Sequence, residues 1–201
     1  MAAPKTAIFR SSPRPLGNTN ALTDVVAERL RAAGSQIKDF NLYNMDIRPC
    51  AACRYCQRDW NSAACVRRDD MPIIIEAIQE SELLILATPI YSWYCTPSMK
   101  AMLDRLVYIM NKYYGDRKGP SLWAGKQVAL ITTCGYPPEK GADLLEEGIR
   151  RYCEHSKLQY RGMLCCRHKS YGTAFMDEEK RRKAEAFAQK LAGTVDRTAG
   201  K

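Results

Sequence analysis

Residues 4–20, PKTAIFRSSPRPLGNTN, join a short apolar run to a helix through a polar turn. Ala7, Ile8 and Phe9 read as a buried strand, and residues 21–30 repeat apolar positions at helical spacing. A strand that passes directly into a helix is the building unit of a parallel sheet, and the turn between them is a natural phosphate site. The first N–H groups of a helix lack internal partners, and the helix dipole adds partial positive charge there. Ser11, Ser12 and Thr19 offer hydroxyls, Arg14 can grip phosphate oxygens, Gly17 permits close backbone approach, and Asn18 suits an N-cap or a direct contact. An ordinary polar loop has the same composition. The turn is neither GxGxxG nor GxxxxGK[ST], which argues against a dinucleotide-wrapping loop or a P-loop and favours a mononucleotide.

The same alternation continues down the chain. Residues 37–42 read as a second strand, followed by an irregular stretch over 43–69 that is long for a plain connection. Asp70 is expected to cap a helix beginning at Met71 and Pro72, and residues 83–87 form the continuous apolar run of a central parallel strand. Helix is expected over 97–108, strand over 128–132, helix over 142–153, strand over 159–165 and a closing helix over 177–191. Five strands with intervening helices specify a doubly wound α/β sheet whose ligand sits at the carboxyl ends of the strands. With 201 residues and 46% hydrophobic content, one domain over 1–193 is expected, carrying a cysteine-rich loop at 49–69 and followed by a disordered tail at 194–201. A balance of 31 Lys plus Arg against 22 Asp plus Glu favours anionic ligands. The basic residues are too scattered for a nucleic-acid surface. No secretory signal or membrane-spanning stretch is visible, so a cytoplasmic protein without membrane partners is expected.

Two further strand ends carry chemistry. Pro89 is not expected to continue its strand, and Tyr91, Trp93 and Tyr94 crowd flat surfaces into one turn with Ile90 and Ser92, where a ring system can pack. Core packing is the alternative for these aromatics. After the fourth strand come Thr133, Cys134 and Gly135, where a glycine either turns the chain or lets backbone groups approach the polar edge of a bound ring.

Nine cysteines in a chain without an export signal point to thiols, metal or redox work. Cys50, Cys53, Cys56 and Cys65 give C-x2-C-x2-C-x8-C. Three thiols at that tight spacing can converge on one cubane with the fourth closing it, a [4Fe–4S] reading. Four thiolates also suit zinc, whose usual pattern is two separated CxxC pairs, and free thiols are the third reading. Cys65 is the doubtful ligand, because cluster motifs usually have a shorter last gap. Arg54, Arg58, Arg67 and Arg68 surround the loop and favour thiolates or a nucleotide phosphate. Cys95, Cys134, Cys153, Cys165 and Cys166 read as small core residues, with Cys95 and Cys134 within reach of the ligand. His155 and His168 lack the partners of a hydrolytic triad, Lys100 and Asp104 read as a helical ion pair, and Asp69 and Asp70 read as helix-start residues.

The segments SSPRPLGNT, CAACRYC…CVRRDDM, TPIYSWYCTPSMKAMLDR and TTCG resemble, in this order, the pattern of NAD(P)H-dependent FMN reductases and the iron–sulfur flavoproteins of the flavodoxin-like superfamily. The resemblance runs from Ile8 through the last strand. It implies a flavodoxin-like three-layer sandwich, a five-stranded parallel sheet of order 2-1-3-4-5 with helices on both faces, and noncovalent FMN in a homodimer or homotetramer. It carries Ser12, Arg14, Asn18 and Thr19 onto the phosphate, residues 89–93 along the isoalloxazine, and residues 133–135 near its pyrimidine edge. Ser11 stands where the pattern usually has Gly, so a slightly looser first turn is expected. The function implied is hydride transfer from NAD(P)H to FMN and onward to a flavin, quinone or other small acceptor. The alternative is an electron carrier that serves a redox protein through a cluster.

Overall fold

The computed structural model describes residues 3–170 and 172–195. Five strands, β1 (Lys5–Arg10), β2 (Gln36–Asn41), β3 (Leu83–Pro89), β4 (Gln127–Cys134) and β5 (Gln159–Arg167), form one all-parallel sheet of order β2-β1-β3-β4-β5. Between them run α1 (Asn18–Ala32), α2 (Met71–Glu80), α3 (Pro97–Met110), a single turn α4 (Pro138–Gly141) and α5 (Asp143–His155), with α6 (Glu178–Val195) closing the chain. The expected sheet is present. The tail expected over 194–201 lies outside the described residues from position 196, while Thr194 and Val195 continue α6.

Every residue of β3 and β4 is buried, as a central parallel strand covered on both faces requires. Alternation still decides which face each side chain serves. Ile8, Ile85 and Ile131 pack with Leu22, Val26 and Leu30 of α1 and Ala184, Ala188 and Leu191 of α6. Phe9, Leu84, Leu86 and Leu130 pack on the other face with Ile74 and Ile78 of α2, Met102 and Leu106 of α3 and Ile149 of α5. Among the described residues no helix is long and apolar enough to cross a membrane.

Local details differ from the expectation. Pro89 is the last residue of β3, in register with Thr133, and the ladder continues through Ile90, whose amide donates to the Thr133 carbonyl at 2.9 Å. At the end of a strand the missing proline N–H interrupts nothing. The 43–69 stretch contains two single 3₁₀ turns, at Leu42–Asn44 and Tyr55–Gln57. The Asp70 side chain does not cap α2; it accepts from the Asp46 amide at 2.8 Å, while Asp69 accepts from the Met71 amide at 3.3 Å. Lys100 and Asp104 form the expected i,i+4 pair at 2.6 Å.

Candidate functional site

The polar turn after β1 folds back on itself before α1 begins. A Cβ on Gly17 would lie 2.9 Å from the Arg14 carbonyl oxygen and 3.1 Å from the Ser12 Oγ, so only glycine fits. Asn20, which sequence reasoning passed over, donates to the Arg14 and Pro15 carbonyls at 3.0 Å each and pins the turn. Ser11 is fully buried, with its amide 2.9 Å and its hydroxyl 3.3 Å from the Ala87 carbonyl oxygen of β3. The Ser12 Oγ accepts from the Arg14 amide at 3.3 Å. Gly17 is the N-cap, and no side chain caps the helix. The first amides of α1 therefore have no side-chain partner. Asn18 stands inside the helix, its Nδ2 3.0 Å from the His168 Nδ1. Thr19 Oγ1 and Thr133 Oγ1 meet at 2.7 Å, tying α1 to the end of β4.

These elements border an open cleft of about 260 Å³, lined by Arg14, Asn18, Pro89, Ile90, Tyr91 and Thr133 and then by Cys134, Gly135, His168, Lys169 and Ser170. Residues from three predicted strand ends thus meet in one place. His168, Lys169 and Ser170 were missed, although the rule that ligands gather at carboxyl strand ends applies equally after β5. Arg14 is exposed and has no acidic partner among the described residues. Beyond Gly135 a Cβ would meet nothing within 4 Å, so its backbone faces free space.

The turn after β3 is tight. Tyr91 and Tyr94 exchange amide-to-carbonyl hydrogen bonds at 2.9 Å, and Ser92 and Trp93 between them take φ of 50° and 67°. Two successive left-handed non-glycine residues are strained, and such strain persists only where surrounding contacts enforce it. Here the Trp93 indole N–H donates to the Lys140 carbonyl at 3.0 Å, and its ring stacks on Tyr136 at 6.0 Å. Trp93 therefore braces the turn against α4, while Tyr91 borders the cleft and Tyr94 stays exposed.

Cys134 lines the cleft with its Sγ 3.6 Å from that of Cys165. A hydrogen bond from Cys165, opposed by burial and aided by the nearby Arg167 charge, lowers the Cys134 pKa. Cys95 and Cys153 belong to the core, where burial pushes their thiols up to about 11 and about 12.

The four spaced cysteines come together away from the cleft. Cys50, Cys53, Cys56 and Cys65 all line one pocket, together with Arg54, Arg67 and Arg105. The loop reaches this shape through left-handed residues at Ala52 and Arg54, and the Ala52 amide donates to the Cys50 Sγ at 3.4 Å. Its neck is closed by α3. Arg105, 1% exposed, grips Asp69 with two nitrogens and donates to the Arg48 carbonyl at 3.3 Å. Burial alone would raise the Asp69 carboxyl, but hydrogen bonds from Arg105 and from the Arg48 and Met71 amides outweigh it and hold the pKa below the usual value. The buried Nε atoms of Arg67 and Arg105, two of the arginines beside these thiols, have no hydrogen-bond partner. Among the described residues no three His, Cys, Asp or Glu side chains converge closely enough for a single metal ion.

The sequence profile of NADPH-dependent FMN reductases matches residues 4–146. The chain belongs to this oxidoreductase family. An iron–sulfur flavoprotein of Archaeoglobus fulgidus is 29% identical over 128 residues, 64% of this chain and 54% of that protein. The chain thus spans about half the length of that curated relative. YwqN of Bacillus subtilis, whose name assigns it to NAD(P)H-dependent FMN-containing oxidoreductases, is 32% identical over 147 residues, 71% of this chain and 74% of that one. Among solved structures, RosB with a bound 8-demethyl-8-formylriboflavin-5'-phosphate superposes with a TM-score of 0.74 at 20% identity, covering 96% of this chain and 79% of that one. At such identity the likeness is one of fold, and the fold is flavodoxin-like.

Proposed function

We propose that this FMN reductase family member takes hydride from NAD(P)H and reduces a flavin, a quinone or another small acceptor. The observation that carries the reading is the cleft: an uncapped helix start, an exposed arginine without an acidic partner and a glycine facing open space, all at the carboxyl ends of neighbouring strands. In this reading the α1 amides, Arg14, Asn18 and the Ser12 hydroxyl hold the FMN phosphate. Ser11 and Thr19 act from behind, since their hydroxyls bond across to Ala87 of β3 and Thr133 of β4, whereas the Ser12 hydroxyl bonds within its own turn, to the Arg14 carbonyl at 3.3 Å. Pro89, Ile90 and Tyr91 pack along the ring system, and Thr133, Cys134 and Gly135 turn backbone groups toward its polar edge. Ser92 and Trp93 keep the turn in shape. FMN, when bound, supplies the hydride-accepting chemistry. The residues around it need move no proton for hydride delivery; they anchor the phosphate, pack one side of the cleft and leave the other open. Nicotinamide and acceptor use that open side in turn, which predicts ping-pong kinetics.

Residues 1–193 act as one domain in this proposal, in the cytoplasm, as a homodimer or homotetramer. The exposed aromatics Tyr91, Tyr94 and Tyr136 around the cleft mouth support self-association. Protein loaded with FMN should oxidise NADH or NADPH steadily when a quinone or free FMN is supplied. Reduction that stops after one equivalent would point to an electron carrier, and protein that takes up no FMN would remove the reading.

A second reading, an iron–sulfur flavoprotein passing electrons to a redox protein, is favoured by the four thiols that share one pocket with unpartnered arginine nitrogens. Cys50, Cys53, Cys56 and Cys65, which line that pocket together, would hold a [4Fe–4S] group there, and their C-x2-C-x2-C start is closer to a cluster motif than to the two separated CxxC pairs usual for zinc. Anaerobically prepared protein should then contain about four irons per chain, as one cubane requires, and Cys53→Ser should lose them. Iron-free anaerobic protein with full NAD(P)H oxidation would leave the flavin-only reductase.

A further inference from the structure

Lys112 is 0% exposed, yet among the described residues no carboxylate pairs with it. Its ammonium donates to the carbonyls of Cys56 at 2.6 Å and Ser62 at 2.7 Å. A buried ammonium held only by carbonyls is an expensive arrangement, and an apolar side chain of similar length would fill the space more cheaply. The two acceptors show what the charge does. One belongs to the third cysteine of the motif itself and the other lies in the interval between it and the fourth, whose length made Cys65 doubtful as a partner. Gln57 braces the start of the same interval, donating to the Tyr108 and Asn111 carbonyls and accepting from the Tyr114 amide at 3.2 Å. Trp60 lies against Gly119, where a Cβ would come within 2.9 Å of the indole and 2.8 Å of the Lys112 Cβ. The eight-residue gap is thus folded back onto the chain that follows α3, and Cys65 returns to the pocket lined by the other three thiols.

We propose that Lys112 is a positioning residue of the cysteine site: its ammonium gathers the 57–64 segment so that Cys65 stands with Cys50, Cys53 and Cys56 around one pocket. The thiol arrangement is independent of what the pocket holds, and only the iron measurement rests on the cluster reading. Metal-free Lys112→Met and Gly119→Ala proteins, labelled with iodoacetamide and read by peptide mass spectrometry, test it. The glycine variant pushes on Lys112 and Trp60 from an outer loop without removing the charge, so it decides the matter if Lys112→Met fails to fold. In variants that keep the wild-type circular dichroism, Cys65 should label at least about tenfold faster while Cys50 and Cys53 keep their rates, since losing one charge-assisted hydrogen bond already shifts a local opening equilibrium that far. After anaerobic reconstitution, iron should fall from about four to about three or fewer per chain. Unchanged Cys65 labelling in both variants overturns the proposal, as does full iron loading in folded Lys112→Met. Selective Cys65 exposure in a protein whose wild type takes up no iron upholds the positioning role and removes the cluster reading instead.

Discussion

Arg14 and Thr19 were paired by sequence as phosphate contacts, but their surroundings differ. Arg14 is exposed and unpaired, whereas the Thr19 hydroxyl is buried against that of Thr133. Replacing Arg14 with Ala should weaken FMN by about 1.5 to 3 kcal/mol, read as the dissociation constant from flavin fluorescence, with thermal stability of the FMN-free protein unchanged. Thr19→Val should do the reverse, removing about 1 to 2 kcal/mol from folding by leaving a buried hydroxyl unpaired while moving FMN affinity less. Equal loss of affinity in both variants would move the phosphate away from the guanidinium.

Among the elements, the strands and helices were legible because their apolar periodicities differ and proline, glycine and capping residues punctuate them. The turn after β1 was legible for the same reason. The 43–69 loop was not, since its shape comes from contacts distant in sequence: Arg105 at its neck and Lys112 at its middle, both on or just after α3. Nothing in the helical spacing of Arg105 reveals Asp69 as its partner 36 residues away. Folding lowers the Asp69 pKa, so this carboxylate contributes fully above its ordinary value and loses that contribution as pH falls through the lowered one. Urea unfolding followed downward from neutral pH should show stability declining in that acid range. Asp69→Asn should flatten the decline and cost about 3 to 5 kcal/mol near neutrality, because Arg105 is left buried and uncompensated. The turn after β3 makes a second expectation at this scale. Trp93→Ala removes the brace against Lys140 and Tyr136 and should change acceptor preference or turnover, with far-UV circular dichroism retained.

For the whole molecule, the start of α1 has a thermodynamic consequence. A helix that begins without a cap is incomplete until something else occupies its first amides. Whatever anion does so binds the folded chain and has no equivalent site in the unfolded one, so folding and occupancy become a single linked equilibrium. The melting temperature should climb with the logarithm of free FMN, by the increment that about 2.7 kcal/mol represents at a hundredfold excess over the dissociation constant. In Arg14→Ala the same curve should appear displaced to higher concentration with its slope intact. Calorimetric scans at graded FMN would trace both. With FMN seated at that start as proposed, heat resistance becomes a gauge of cofactor supply, and chains made when the nucleotide is scarce should be the first to unfold.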